Sequence, residues 1–294
     1  MLEKLFGRKK KEEALREETF QRLKAMERPQ IRISYAPPEG EIPLGESKLG
    51  GMPDLPQGFT FPYFEGEDMD GTVKNRPLSF LAQINLKEAA QYDREHLLPE
   101  GGLLSFFYEL DSQRWGFDPK DKGCARVYYF PEGTALVRTP LPAEVTEENR
   151  VPELGVQLRQ EPSFPGWEVF TEQPIWQVPG KGQEQWRKWA MEDDHFEELQ
   201  EVLGIEEGGE ITKLLGWPNV IQSAMGEECE IVSRGYYTGD LEGYKKIPEQ
   251  EKPDIAHRAG DWRLLFQMDT VETEDYELMF GDCGRSISGF ALRI

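Results

Sequence analysis

Cysteine is scarce in this chain of 294 residues: Cys124, Cys229 and Cys283 are far apart and odd in number. That argues against a disulfide framework or a zinc site and fits a reducing compartment, so a cytoplasmic location is expected. His96, His195 and His257 share no spacing, and Asp193-Asp-His195 has no second ligand set at helical spacing, so no metal site is predicted. The phosphate-cradling patterns G-x-x-x-x-G-K-[ST] and G-x-G-x-x-G are absent, as is H-E-x-x-H. Gly284-Arg-Ser-Ile-Ser288 ends in serine where a nucleophile elbow needs glycine. No catalytic residue and no cofactor are therefore nominated. The acidic run Glu65 to Gly71 also fails as a calcium loop. With Gly71 at the fixed glycine, Gly66 and Pro77 fall where an EF-hand needs Asp and Glu.

Positive charge is also in short supply. The net charge is −21, and it is uneven. Residues 1–30 hold nine Lys/Arg against six Asp/Glu, which leaves 25 against 49 for the rest. Such a body repels nucleic acid and anionic membranes, so nucleic acid is not an expected partner. It attracts a basic protein, such as a toxin domain or a nuclease. Plain solubility is the simpler account of the same charge.

No apolar run is long enough to span a bilayer or to act as a signal sequence. Met1 to Arg28 reads as a helix, with Leu15, Leu23 and Met26 on roughly one face. We expect it to pack on the body. A weak membrane contact through residues 1–28 is the alternative.

What the chain has in quantity is glycine and proline, 29 and 21 residues, which favours many short strands joined by turns. Two stretches stand out. Lys48-Leu-Gly-Gly-Met-Pro-Asp54 returns as Lys213-Leu-Leu-Gly-Trp-Pro-Asn219. Each reads as a rigid bend ending in a side chain that can fold onto backbone N–H groups. Each is followed by a strand in the same register, Ser79-Phe-Leu-Ala-Gln-Ile-Asn85 and Arg263-Leu-Leu-Phe-Gln-Met-Asp269. A glycine and a further strand follow in both cases. Bend and glutamine lie 35 residues apart in the first copy and 54 in the second, so the second carries an insertion. Three blocks in one order predict an ancient duplication. Two copies are too few for a solenoid.

Gln83 and Gln267 share strand faces with leucines, and a buried glutamine must find hydrogen-bond partners. The simpler expectation is that each clamps a nearby loop, its own bend included. The functional alternative gathers Asp54, Gln83, Asn219, Gln267, Asp282 and Arg285 around a polar cleft between the halves, with Arg285 free to grip a carboxylate or paired with Asp282.

The bend, the Phe80-Leu-Ala-Gln-Ile-Asn85 strand, Trp115-Gly-Phe-Asp-Pro119 and Met279-Phe-Gly-Asp-Cys-Gly-Arg285 resemble the bacterial YwqG-like family, from about residue 33 to the end. The Ser286-Ile-Ser-Gly289 run departs from the more aromatic strand usual there. The resemblance implies a cytoplasmic α+β protein with two related halves, and no reaction.

The expected architecture is therefore α+β, with β-rich mixed or antiparallel sheets and an N-terminal helix. We divide the chain into a basic helix (1–30), a first β-rich half (31–140), a connecting segment (141–182) and a second half (183–294) packed with the first as one body. Within it we expect a hairpin about Pro131-Glu-Gly133, candidate strands at Val156 and Trp167, and a helix over 183–203 stopped by Gly204. The leading functional reading is a non-catalytic binding protein with an acidic surface. The competing one is a small-molecule enzyme or sensor with a cleft between the halves.

Overall fold

The computed structural model describes all residues except 1, 69, 173–183, 193, 206–210, 221–223, 281–289 and 294. Helix α1 (Leu2–Ala25) opens the chain and β1 (Arg28–Ala36) follows directly. The first bend joins β2 (Lys48–Leu49) to β3 (Asp54–Pro56). Then come β4 (Tyr63–Glu67), β5 (Val73–Pro77), β6 (Ser79–Asn85), α2 (Leu86–Ala89), β7 (Leu103–Tyr108), β8 (Ala125–Phe130) and β9 (Leu136–Arg138). β10 (Leu154–Ser163) leads into α3 (Trp167–Phe170), α4 (Gln185–Ala190) and α5 (His195–Leu203). After β11 (Lys213–Leu215) come α6 (Met225–Ser233), α7 (Leu241–Lys245) and α8 (Lys252–Ala259). β12 (Trp262–Gln267), β13 (Val271–Thr273), β14 (Tyr276–Leu278) and β15 (Phe290–Arg293) follow. The protein is α+β.

One nine-stranded antiparallel sheet organises it, in the order β15-β12-β11-β1-β10-β2-β6-β7-β8. Its middle is the long β1–β10 pair, registered from Arg28 opposite Ser163 to Ala36 opposite Gly155. Outward from that pair the order is β11, β12, β15 on one side and β2, β6, β7, β8 on the other. β12 and β7 are far apart in this order, yet Phe266 and Phe106 stack with ring centroids 4.3 Å apart. The sheet must therefore curl on itself. Leu49, Leu81, Ile84, Phe107 and Met268 fill the same core.

The two flanks match in detail. Lys48 stands opposite Gln83, and Lys213 opposite Gln267. Both glutamine strands break register at the same place, once between Phe80 and Ala82 and once between Leu264 and Phe266. The longer stretch between the second bend and its glutamine strand contains α6, α7 and α8, which pack through Ile231, Ile247 and Ile255.

A second core holds the N-terminal helix. Leu23 is buried among Phe170, Trp186, Trp189, Phe196 and Leu199. Among the described residues no helix is long and apolar enough to cross a membrane.

Three local expectations are corrected. The Pro131 turn forms, with the Thr134 N–H donating to the Pro131 carbonyl, but the chain beyond it does not return to β8. β9 pairs instead with β3, setting Arg138 opposite Asp54. A buried carboxylate needs a cation, and Arg138 supplies it. Trp167 begins a helix rather than a strand, because Pro165-Gly166 interrupts the extended run and Gly166 takes the N-cap. The helix expected over 183–203 is two helices where described. Glu192 and Asp194 lie between them, poorly placed at the end of α4 and well placed before the N-terminus of α5. His195 stacks on Trp189 across the break. Gly204 does stop α5, at φ +67°.

Candidate functional site

Each bend is built by a buried lysine, a buried glutamine and a left-handed backbone pair. At the first, Gly50 and Gly51 have φ of +55° and +70°. A Cβ on Gly50 would sit 2.2 Å from the Val151 and Pro152 carbonyl oxygens, so glycine is required there. At the second, Leu215 and Gly216 repeat these angles at +60° and +73°. Leucine in this region is strained, at a cost of about 1 kcal/mol.

Gln83 accepts a hydrogen bond from the Asp54 N–H (2.9 Å) and donates to the Glu46 carbonyl (2.8 Å) and Asp54 Oδ2 (2.7 Å). Gln267 accepts from the Asn219 N–H (2.9 Å) and donates to the Ile211 carbonyl (2.9 Å) and, more loosely, to Asn219 Oδ1 (3.4 Å). The clamp onto the bend is thus the observed arrangement on both flanks.

The acid and its amide sit in different surroundings. Asp54 Oδ2 also accepts from the Gly45 N–H (2.8 Å), and Oδ1 takes Arg138 Nε at 2.5 Å. Burial pushes the Asp54 carboxyl up, but the hydrogen bonds from Arg138, Gly45 and Gln83 outweigh it and hold the group below the usual carboxylate range.

The lysines differ in the same way. Lys48 Nζ donates to the Met52 carbonyl (2.7 Å) and pairs with Glu153 (2.6 Å). Lys213 Nζ donates to the Trp217 carbonyl and to Gln30 Oε1, a neutral acceptor, at 2.9 Å. Burial and the nearby Arg32 push Lys213 down to about 7, with Glu161 pulling the other way.

The described members of the six-residue set fall into two groups, Asp54 with Gln83 and Asn219 with Gln267. Among the described residues no hydrogen bond joins one group to the other. Asp282 and Arg285, like Cys283, lie outside the described residues. The lysines were visible in the repeat, but a lysine is normally read as exposed, and nothing local signals its burial.

Beside the second bend lies a cavity of about 320 Å³ that sequence reading did not find. Trp217 and Pro218 of the bend form one wall, Met26 and Arg28 another, and Val169 and Glu172 a third. The first turn of α6, the end of α8 and Trp262 to Leu264 close it. Its lining is mostly apolar, with four charged side chains: Arg28, Arg263, Glu172 and Glu227.

The Arg28 guanidinium lies 3.4 Å from the centroid of the Trp217 ring. The Trp217 indole is held in turn by donating to the Met26 carbonyl. The Arg28 side chain has no hydrogen bond or ion pair among the described residues. Burial and the Arg263 guanidinium push it down to about 10, against a smaller pull from Glu95. Arg263 donates to the Gly260 and Trp262 carbonyls. Across the cavity, burial and then the Glu227 carboxylate push Glu172 up to about 7. The Glu172 side chain has no hydrogen bond or ion pair among the described residues. Burial pushes the Cys229 thiol, also in the wall, up to about 12.

Glu172 gives a signed expectation. Its native pKa lies near 7 against 4.5 unfolded, so between those values the native state holds a proton that the unfolded chain has lost. Stability contributed by this group falls as pH rises through that window, by up to roughly 3 kcal/mol, and is flat above it. Glu172→Gln should remove that fall, so the variant gains on the parent between about pH 5 and pH 8 in urea denaturation. An unchanged difference between the two proteins at both pH values would show that Glu172 is ionised and solvated.

The fold and its paired bends define a class before any comparison is made: an α+β protein on a curled antiparallel sheet, with a buried lysine–glutamine bend on each flank. The chain belongs to a family described as a domain of unknown function, DUF1963, whose model matches residues 47–287. That span takes in both bends and most of the cavity wall, but leaves out Met26 and Arg28. No curated protein matches the chain.

Proposed function

We propose that the protein is a non-catalytic binding protein whose ligand occupies the cavity beside the second bend. The observation that carries this reading is Arg28. It is held by stacking on Trp217 in an apolar cavity, with no carboxylate among the described residues to pair with it. Burying such a group without a partner is costly, and an occupant offsets that cost. By contrast, the polar atoms of Asp54 and Gln83 are engaged by their own loop and by Arg138. A volume near 320 Å³ lies at the small end of the range for ligand pockets.

Within the family we group the chain with the YwqG-like proteins, in the cytoplasm, on the motifs quoted above. We also read it as two copies of one unit. Matching bends, lysine–glutamine pairs and register breaks support that reading. In it β10, inside the 141–182 segment, is the counterpart of β1. Each unit's first strand then pairs with the bend strand of the other, β1 with β11 and β10 with β2. The halves over 31–140 and 183–294 are joined by that exchange.

A second reading, capture of a basic protein, is favoured by the charge of −21. Native mass spectrometry of protein taken from its host separates the two. The cavity reading expects a small co-purified mass that is lost from Ala224→Trp and Ala256→Trp, each of which fills the cavity from a different helix. A basic polypeptide, released by salt and indifferent to both substitutions, would favour the second reading. Apo protein, or a small mass that survives both substitutions, would sink the cavity reading.

A further inference from the structure

We propose that the cavity takes a zwitterion: a small molecule with a carboxylate at one end, an ammonium at the other and an apolar middle. The inference rests on the cavity being a ligand site, and it says what chemistry that site selects.

The charges in the wall come as two like pairs. Arg28 and Arg263 both line the cavity, and the Arg263 guanidinium disfavours the charge on Arg28. Glu172 and Glu227 line it as well, and the Glu227 carboxylate disfavours the charge on Glu172. A ligand carrying only negative charge meets the glutamates, and one carrying only positive charge meets the arginines. A molecule with both charges relieves both repulsions at once.

The anionic end has the better-defined seat. The Arg28 guanidinium lies over the Trp217 ring, and its N–H groups, unpaired among the described residues, suit a bidentate carboxylate. The nine-residue helix α6 points its first turn into the same cavity. Its N-cap, Ala224, has no side chain able to accept from the first-turn N–H groups. The cationic end is placed by Glu172, whose carboxylate lacks a partner among the described residues. Between the two, Met26, Val169, Pro218 and Ala256 offer apolar contact to a short methylene chain.

Calorimetric titration of the full chain with aminohexanoate, hexanoate and hexylamine tests the assignment. Aminohexanoate is expected to bind at least about tenfold more tightly than either of the others. Glu172→Gln should weaken aminohexanoate and strengthen hexanoate, an inversion that general loosening of the fold cannot produce. Arg28→Gln should weaken both carboxylates and leave hexylamine no weaker. Hexanoate or hexylamine binding as tightly as aminohexanoate overturns the zwitterion and leaves the cavity reading in place. Failure of all three, tried also as longer and shorter homologues, overturns it as well. The co-purified mass then decides separately whether the cavity is a site at all.

Discussion

Gln83→Ala lowers the stability of the protein by about 4 kcal/mol. The side chain is fully buried, and its three hydrogen bonds all go to one loop. Truncation leaves the Asp54 N–H and the Glu46 carbonyl without their partner in a place water does not reach. Each such loss costs about 1–3 kcal/mol, and the cavity left behind adds to it. Asp54 also loses one of the donors that keep it ionised beside Arg138.

The equivalent change at the second bend, Gln267→Ala, should cost less, about 2 kcal/mol. Its side-chain bond to Asn219 is long, and Asn219 is neutral with no arginine to hold. Gln83→Glu sharpens the contrast. It keeps the acceptor for the Asp54 N–H but sets a second carboxylate against Asp54 Oδ2, so its penalty should grow as pH rises. Urea denaturation of the three variants measures all of this. A cost below about 1 kcal/mol for Gln83→Ala would mean that the first bend holds its shape without the clamp.

Part of this was legible in the letters, for a physical reason. Strand alternation places Gln83 on one face with Leu81 and Asn85, and a glutamine there has to be satisfied by whatever loop is near. The glycines and prolines of the bends mark positions where backbone shape is decided locally. Asn85 as the cap of α2 belongs to the same class, and its side chain does accept from the Lys87 N–H.

What sequence did not disclose depends on chain segments that meet only after folding. The Pro131 turn obeyed its local signal, yet β9 went to β3. Residues as distant as 54 and 138 carry no mutual signature until the register is known. The burial of Lys48 and Lys213 follows from β10 pairing beside β2 and β1 beside β11, which brings Glu153, just ahead of β10, and Gln30 of β1 to the two ammonium groups. Arg28 reads naturally as the last member of a basic N-terminal run. Only the fold sets it against Trp217, 189 positions away, and brings Val169 and Glu172, the start of α6 and the stretch from Ala256 to Leu264 to the same cavity.

Phe266→Ala should cost about 4 kcal/mol, as should Phe106→Ala, and the two together should cost about 1 kcal/mol less than their sum. Each ring is fully buried, and each sits mid-strand on a different flank of the sheet. Their stack at 4.3 Å is the contact by which β12 meets β7 across the curl. If the rings only filled local gaps in their own flanks, the costs would simply add, since sites without shared partners are independent. A shared contact makes the second truncation cheaper, because part of what it removes has already gone. Phe266→Leu, which keeps apolar volume but not the flat face, should retain more than half of the stability that alanine loses and still abolish the coupling. Additive costs in the double-mutant cycle would show that the sheet keeps its curl without this pair. The β1–β10 junction and the rest of the shared core would then hold the flanks together.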